Sequence, residues 1–289
     1  MEKYPYGEGM TTIYNTTGPP IVNQMSDFQK VTVADLPGFG RSLWIDDVPN
    51  VTEKDEFIYH EMIVHVPMMM HPDPRRVLIV GGGDGASARE LLKHPNLERA
   101  VMVDIDGLVV ESCRKHMPQF NNGAFDDPRL ELIIGDGIEM VRKSADESWD
   151  VIIVDSTDPV PDGAGEVLFG AEFYEECHRS LAKNGVLSTL GNLPMMCEKE
   201  DFANCFSRCQ DSFSKERTWL YLVPTDFYGG QTSFGCCFKG DVHPLKIDKT
   251  RVDAFTKQHK LKYYRHKVHK AAFSLPPYLL DTIGSTSGK

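Results

Sequence analysis

The sequence has no long apolar run. None of its apolar stretches approaches the ~18 residues that a membrane-spanning helix requires. Residues 1–7 also lack the apolar centre of a signal peptide. We therefore expect no transmembrane helix and a cytoplasmic location.

Cysteine and histidine are present, but their spacing is unsuited to disulfides or metal. The seven cysteines are odd in number, and Cys236 and Cys237 are adjacent, which suits neither a disulfide framework nor a zinc pair. His60-Glu61 followed by His65 resembles a zinc-protease motif, but the histidines are five residues apart, so they do not share a helix face. We expect no metal site.

Positive charge is also in short supply. The chain has 42 acidic residues against 31 Lys and Arg, which gives a formal net charge of −11. An acidic chain does not favour nucleic acid or an anionic membrane as a partner. The charge balance is compatible with a small cationic substrate.

What the chain does have is an alternation of strand and helix patterns. Two strand patterns, at residues 218–223 and 232–238, are joined through Gly229-Gly230 and predict an antiparallel hairpin at a sheet edge. Before them, continuous apolar runs separated by helical patterns predict a parallel sheet covered on both faces. These runs lie at residues 76–80, 100–103, 130–134, 151–154 and 185–190.

The predicted fold class is therefore α/β. We expect a doubly wound, mostly parallel, seven-stranded sheet of the Rossmann-like methyltransferase type. The beginning of the chain differs, because its short alternating runs and tight-turn signals predict a small N-terminal antiparallel β domain. We assign residues 1–61 to the β domain and residues 62–289 to the Rossmann-like catalytic domain.

Acidic residues follow the predicted parallel strands, at the edge where ligands bind in an open α/β sheet. Asp84 lies in the glycine loop 81–85, which would also pass as a dinucleotide fingerprint, but a carboxylate there repels phosphate and favours an ammonium group. Asp104 ends the second strand, where an acid can accept hydrogen bonds from both ribose hydroxyls. Asp136 ends the third strand, where an acid can accept a hydrogen bond from an adenine amino group.

The fourth strand is followed by Asp155-Ser156-Thr157-Asp158-Pro159. Two carboxylates three residues apart on this turn suit a cationic substrate or a proton that must be removed. Any one of these acids, taken alone, is equally compatible with a solvated loop or a helix N-cap. Acids at the ends of four successive strands together predict a binding site.

With these motifs the chain resembles the spermidine synthases, or polyamine aminopropyltransferases. The resemblance implies transfer of an aminopropyl group from decarboxylated S-adenosylmethionine to a diamine, usually putrescine, giving spermidine and methylthioadenosine. It implies no permanently bound cofactor, and a homo-oligomer, because family members are commonly dimers or tetramers. Besides the strand-end acids, the residues that carry it lie at 52–62, 77–85, 261–264 and 269–276.

The resemblance also implies roles for individual residues. Asp155 would be the catalytic base that takes the proton from the attacking amine. The nucleoside would be held by Gln29, Gly82, Asp84, Asp104, Ile105, Asp136 and Gly137. The amine and the aminopropyl arm would be held by Tyr59, His60, Asp84, Asp155, Ser156 and Asp158, to which we add Asp226.

The chain departs from the family pattern mainly on the acceptor side. Leu190 stands where glutamine is usual, and Asp226 stands where a tyrosine is expected after Pro-Thr. Asn50 in place of glutamine and Asp104 in place of glutamate change only side-chain length. Asp226 is a candidate anion for a longer or differently charged amine, so the identity of the acceptor stays open.

Two other functions remain as alternatives. One is an amine N-methyltransferase that uses ordinary S-adenosylmethionine, which Asp84 disfavours because the methionine carboxylate would approach a like charge. The other is a catalytically inactive paralogue that acts as a regulatory subunit. The retention of Asp84, Asp155, Asp158 and Tyr59 disfavours this alternative. The glycines and prolines of residues 155–168 predict a gate that orders on binding.

Overall fold

The computed structural model describes residues 2–6, 10–157, 168, 170–191, 193–194 and 199–284. Its first part is all β structure, as predicted. A hairpin is followed by a four-stranded antiparallel sheet whose strands pair in chain order. The hairpin strands are β1 (Glu2–Tyr6) and β2 (Met10–Tyr14), and the sheet strands are β3 (Val22–Met25), β4 (Lys30–Leu36), β5 (Gly40–Ile45) and β6 (Val48–Thr52).

The second part alternates strands and helices. The elements are α1 (Glu56–Met70), β7 (Arg76–Gly81), α2 (Ala86–Leu91), β8 (Arg99–Asp104), α3 (Gly107–His116), α4 (Pro118–Asn121), β9 (Leu130–Ile134), α5 (Gly137–Lys143), β10 (Trp149–Asp155), α6 (Ala171–Ser180), β11 (Leu181–Leu190), α7 (Lys199–Phe213), β12 (Thr218–Thr225), β13 (Gly230–Phe238), α8 (Lys249–His259), α9 (His266–Ala272) and α10 (Pro277–Ile283).

The seven strands from β7 onward form one sheet in the order β12-β13-β11-β10-β7-β8-β9. The strands β7 to β11 are parallel, whereas β13 runs antiparallel between β11 and β12. The apolar runs of β7 and β10 are buried because helices cover both faces of the sheet. The predicted fold class, including the antiparallel hairpin at the sheet edge, is confirmed.

Helix α1 is buried along most of its length and joins the two parts of the chain. His60 faces the carboxyl ends of the parallel strands, whereas His65 contacts Glu90 and His94 on the other side, so the two histidines do not share a face, as predicted. In the described part of the chain, no three or more His, Cys, Asp or Glu side chains are arranged to hold a metal ion.

Glu61, also on α1, ties the C-terminal segment to the centre of the molecule. Its buried carboxylate accepts hydrogen bonds from the backbone N–H groups of Lys262, Tyr263 and Tyr264, at 2.7–2.8 Å. None of the described helices is both long enough and apolar enough to cross a membrane.

Candidate active site

A cavity of about 470 Å³ lies between the four-stranded sheet and the carboxyl ends of the parallel strands. The sheet contributes side chains of β5 and β6, and the parallel strands contribute the loops that follow β7, β8 and β10. This is the edge at which open α/β sheets bind ligands.

Most of the predicted site residues meet in this cavity. Asp226 is exposed and is not among the lining residues, and Asp158 lies outside the described residues, as does most of the predicted gate. The predicted residues that line the cavity are Gln29, Tyr59, His60, Gly82, Asp84, Asp104, Ile105, Asp136, Gly137, Asp155 and Ser156.

Asp155 ends β10 at the middle of the cavity. Its two carboxylate oxygens accept hydrogen bonds from the hydroxyls of Tyr59, at 2.9 Å, and Ser87, at 2.6 Å. Burial raises the pKa of Asp155, and Asp84 raises it further, while His60 and the two hydroxyls oppose the shift. Asp155 is therefore a held carboxylate with increased affinity for a proton, as a general base needs.

The glycine loop allows this close arrangement. Gly81 has a φ of +85°, and a Cβ atom there would collide with the backbone carbonyl of Asp155. The N–H of Gly82 donates to that same carbonyl at 2.7 Å. Replacement of Gly81 would thus push apart the two strand ends that form the centre of the site.

His60 lies between two carboxylates. Its Nδ1 is 3.0 Å from Oε2 of Glu56, and its Nε2 is 3.4 Å from Oδ2 of Asp84. Burial acts to lower the pKa of His60, but Asp84 and Glu56 together hold it well above the usual value of 6.5. Asp84 also accepts a hydrogen bond from the N–H of Ala86, which orients its carboxylate at the start of α2.

Asp104 lines the cavity and is held by Asp106, which lies behind it. Asp104 is buried and accepts a hydrogen bond from the N–H of Asp106, and burial raises its pKa to about 6. Gln29 and Ser26 donate to Asp106, at 3.1 and 2.7 Å, and so attach the N-terminal sheet to the end of β8. Gln29 thus reaches the predicted nucleoside side by way of Asp106.

Asp136 has the position predicted for an adenine contact and also caps a helix. Its Oδ1 accepts hydrogen bonds from the N–H groups of Ile138 and Glu139 at the start of α5. The residue is exposed at the cavity rim, next to the buried Gly137. Asp136 can cap the helix and also contact an adenine amino group, because both capping hydrogen bonds use Oδ1 and leave Oδ2 for the ligand.

The cavity is strongly acidic. Among the described residues that line it there is no Lys or Arg, and His60 is the basic side chain. Such a lining attracts cations and repels phosphate, so it fits a sulfonium or an ammonium group better than a dinucleotide. The lining carboxylates belong to Asp46, Asp55, Glu56, Asp84, Asp104, Asp136 and Asp155.

Comparison with known proteins identifies the family. A sequence profile for the spermine/spermidine synthase domain matches residues 56–246. The chain belongs to this family. It is 41% identical over 272 residues to a polyamine aminopropyltransferase of Thermotoga maritima, an alignment that covers 91% of this chain and 87% of the relative. A second relative, polyamine aminopropyltransferase 1 of Pseudomonas aeruginosa, is 41% identical over 260 residues, with coverage of 90% and 89%.

Solved structures of the spermidine synthase type have the same fold. A crystal structure of spermidine synthase in complex with the transition-state analogue AdoDATO matches with a TM-score of 0.91 and 39% identity, covering 98% of this chain and 94% of that one. The spermidine synthase from Thermotoga maritima matches with a TM-score of 0.89 and 39% identity, with coverage of 98% and 93%.

The cavity wall formed by the end of β12 and the residues that follow it contains side chains that the sequence pattern did not identify. Residues Asp226–Tyr228 form a short 3₁₀ helix, in which successive side chains point about 120° apart. Asp226 therefore points to solvent while Phe227 and Tyr228 line the cavity. The Tyr228 hydroxyl donates to the backbone carbonyl of Asn50. A tyrosine therefore does line the cavity here, but two residues later than the family pattern predicts.

Leu190 lies on the same wall and is buried, together with Thr225 and Thr232. The two threonine hydroxyls are 2.7 Å apart, and Thr225 also donates to the carbonyl of Gly230. The wall therefore combines an apolar side chain with hydroxyl groups. The signal in the sequence that this wall departs from the family pattern was Leu190 in place of the usual glutamine.

Proposed function

We propose that this chain transfers the aminopropyl group of decarboxylated S-adenosylmethionine to a diamine of the putrescine type. The products are methylthioadenosine and, from putrescine, spermidine. The observation that carries the proposal is the position of Asp155, a carboxylate held by Tyr59 and Ser87 between the Asp104 side and the Leu190 side of one acidic cavity.

The chemistry follows from the charge of the acceptor. A primary amine has a pKa near ~10, so it arrives protonated and cannot attack. In the proposed step Asp155 accepts this proton, the amine nitrogen forms a bond to the carbon next to the sulfonium, and the carbon–sulfur bond breaks. The sulfur keeps the electron pair and becomes a neutral thioether. Most of the remaining acceleration comes from in-line positioning of the two substrates.

The two ends of the cavity divide the remaining roles. We assign the ribose to Asp104, the adenine to Asp136 and Gly137, and the ammonium of the aminopropyl arm to the carboxylate of Asp84, which His60 contacts and holds in place. Tyr59 and Ser156 are assigned to the reacting centre beside Asp155. Gly82, Ile105 and Gln29 shape the nucleoside side, where all three line the cavity.

Asp158 and Asp226 stay predictions for the distal end of the acceptor. Asp158 follows Asp155 by three residues, which supports a role at the same end of β10. Asp226 has less support, because its side chain is exposed beside the cavity rather than within it. The Leu190 wall favours a diamine whose carbon chain, rather than a polar group, lies against it.

The products of the reaction test the function. The protein is incubated with decarboxylated or ordinary S-adenosylmethionine and a panel of diamines, and the nucleoside product is identified by mass spectrometry. We expect methylthioadenosine, and only when both the decarboxylated nucleoside and an amine are present. Adenosylhomocysteine from ordinary S-adenosylmethionine would instead show a methyltransferase. Neither product with any amine would show a non-catalytic subunit.

The raised pKa of Asp104 predicts how nucleoside binding depends on pH. Ribose hydroxyls donate best to an ionised carboxylate, so we expect the affinity for methylthioadenosine to fall as the pH decreases through about 6. Calorimetric titration across this range measures the effect. The Asp104→Asn variant should bind more weakly and lose the step near this pH; the same step in both proteins would assign the titration to another group.

We also propose a cytoplasmic homo-oligomer with the division into residues 1–61 and 62–289. Six cysteines of the described chain are free, which supports a reducing compartment. Exposed apolar side chains on the N-terminal unit, Ile21, Met25 and Phe28, support a contact with another subunit there. The four-stranded sheet ends at Thr52, which supports a separate N-terminal unit, although residue 61 falls within α1.

A further inference from the structure

A chain of alternating charges extends from the active-site cavity into the protein. It begins at Asp84, continues through His60 to Glu56, and from there to Arg89, whose Nη2 is 2.8 Å from Oε2 of Glu56. The Nε of Arg89 in turn donates to Oε1 of Glu90 at 2.9 Å. The first members line the cavity, whereas Arg89 and Glu90 lie behind it on α2.

The contacts of His60 determine its protonation state. Its Nδ1 faces two acceptors, the carbonyl oxygen of Glu56 at 2.8 Å and the Glu56 carboxylate at 3.0 Å, so this nitrogen carries a proton. Its Nε2 faces the carboxylate of Asp84. A histidine with an anion beside each nitrogen is favoured as the imidazolium, in which both nitrogens carry protons.

Glu56 is the cavity-lining member of this series of charges that has no direct part in the proposed reaction. Burial acts to raise its pKa, but His60 and Arg89 hold it below its usual value of 4.5. Arg89 also donates to the carbonyl of Phe120, which fixes the guanidinium against the neighbouring segment. Glu56 is thus kept ionised and oriented toward Nδ1 of His60.

The positive charge of His60 would be expected to repel the cationic substrates of this cavity, but it also acts on the carboxylate of Asp155. Asp155 and Asp84 are two carboxylates that line one cavity, and the negative charge of Asp84 raises the pKa of Asp155 and so favours its protonation. A protonated Asp155 cannot accept the proton of the amine. The charge on His60 acts in the opposite direction, because it favours the ionised form of Asp155.

We propose that Glu56 is a positioning residue that holds His60 as an imidazolium, and that this fixed positive charge keeps Asp155 ionised before the substrates bind. The inference rests on the proposed function, because only that function makes Asp155 a base. The protonation state of His60 can be measured without any catalysis. The charged and titratable groups around His60 in the described structure are Glu56 and Tyr59 on its own helix, Asp84 and Arg89 on the glycine loop and α2, and Asp155 on β10.

Substitution of Glu56 by glutamine tests the proposal, because it keeps the size and a hydrogen-bond acceptor but removes the charge. Nitrogen-15 NMR of the imidazole rings reports their protonation without any catalysis, and the His60 signal is assigned by its loss in His60→Asn. We expect His60 of the unchanged protein to stay protonated above pH 7 and His60 of Glu56→Gln to lose its proton at least one pH unit lower.

The second measurement is the pH profile of kcat/KM for the two proteins with the same amine, so that titration of the substrate cancels. We expect the acid limb of Glu56→Gln to move to higher pH by about one unit, or about tenfold in rate on that limb, since one pKa unit corresponds to a factor of ten in the protonation equilibrium. The control is Asp253→Asn, which removes an exposed ion pair with Lys249 away from the cavity and should leave the profile unchanged.

The outcomes separate this inference from the proposed function. A neutral His60 at pH 7 in the protein without substitutions would overturn the inference. It would also be overturned if Glu56→Gln showed the same His60 protonation and the same acid limb as that protein. A uniform loss of rate at every pH, with His60 still protonated, would show a merely structural role for Glu56 and would also overturn it. Absence of aminopropyl transfer would instead refute the proposed function, while the NMR result would still decide the state of His60.

Discussion

Substitution of Asp155 by asparagine should reduce turnover by a factor of about 10³ or more. Loss of a general base typically reduces turnover by a factor of about 10²–10⁴. Asparagine keeps the size of the side chain and one oxygen for the hydroxyls of Tyr59 and Ser87, but its amide cannot take the proton of an ammonium group. Binding of methylthioadenosine should remain, because the ribose side of the cavity at Asp104 is untouched. Steady-state kinetics and calorimetric titration measure the two effects.

The matched control for this variant is Asp150→Asn, at the other end of β10. Asp150 is also a buried carboxylate, but it pairs with Arg76 and accepts backbone N–H groups of Arg75 and Arg76. Its loss should lower stability and leave the turnover of the folded protein near that of the unchanged chain. Near-normal turnover in Asp155→Asn would refute the role of Asp155 as the base.

Substitution of Glu61 by glutamine should lower the free energy of unfolding by about 3 kcal/mol or more. The buried carboxylate accepts three backbone N–H groups, and hydrogen bonds to a charged group contribute about 1.5–3 kcal/mol each. A glutamine amide would place an NH₂ donor against at least one of these N–H donors and remove the charge. Chemical denaturation followed by circular dichroism measures the change.

Glu98→Gln is the control for the stability prediction. Glu98 also loses a carboxylate by this change, but it is exposed and pairs with the exposed Arg75. A surface ion pair of this kind contributes about 0–1 kcal/mol. If Glu61→Gln were as stable as Glu98→Gln, the three backbone contacts would not be what holds the C-terminal segment against α1.

The parallel strands and the acids that follow them were predictable for a local reason. Five continuous apolar runs indicate buried strands, and the carboxyl ends of parallel strands meet at one edge of a sheet. Asp84, Asp104, Asp136 and Asp155 therefore had to lie near one another once the sheet was inferred, and they do line one cavity. Gly81 was also interpretable, since the approach of two backbones requires a residue without Cβ.

Other parts of the site had no local signal. Ser87 and Tyr59 donate to Asp155 across 68 and 96 residues of chain. The family resemblance places Tyr59 near the amine, but nothing in the sequence around Ser87 indicates its contact with Asp155. Asp106 was adjacent to a predicted residue, yet its contacts with Gln29 and Ser26 depend on how the N-terminal sheet packs against β8. Such contacts arise from packing between distant segments.

The direction in which Asp226 points could not be predicted from the sequence. The sequence shows that Asp226 replaces an expected tyrosine, but not that a short 3₁₀ helix exposes Asp226 and places Tyr228 in the cavity lining. In a 3₁₀ helix, a shift of one residue changes the direction of a side chain by about 120°. Which residue faces the cavity depends on tertiary contacts, such as the hydrogen bond from the N–H of Phe227 to Asp55.

The sequence by itself determined the α/β fold, the strand-end acids and the cationic character of the ligand, because periodicity and charge are local properties of a chain. Only the tertiary structure decided which hydroxyls hold Asp155, which residues form the cavity wall beside Leu190 and which counter-ion faces Nδ1 of His60. These depend on distances between segments that are far apart in sequence, and such distances are established only when the sheets and α1 pack together.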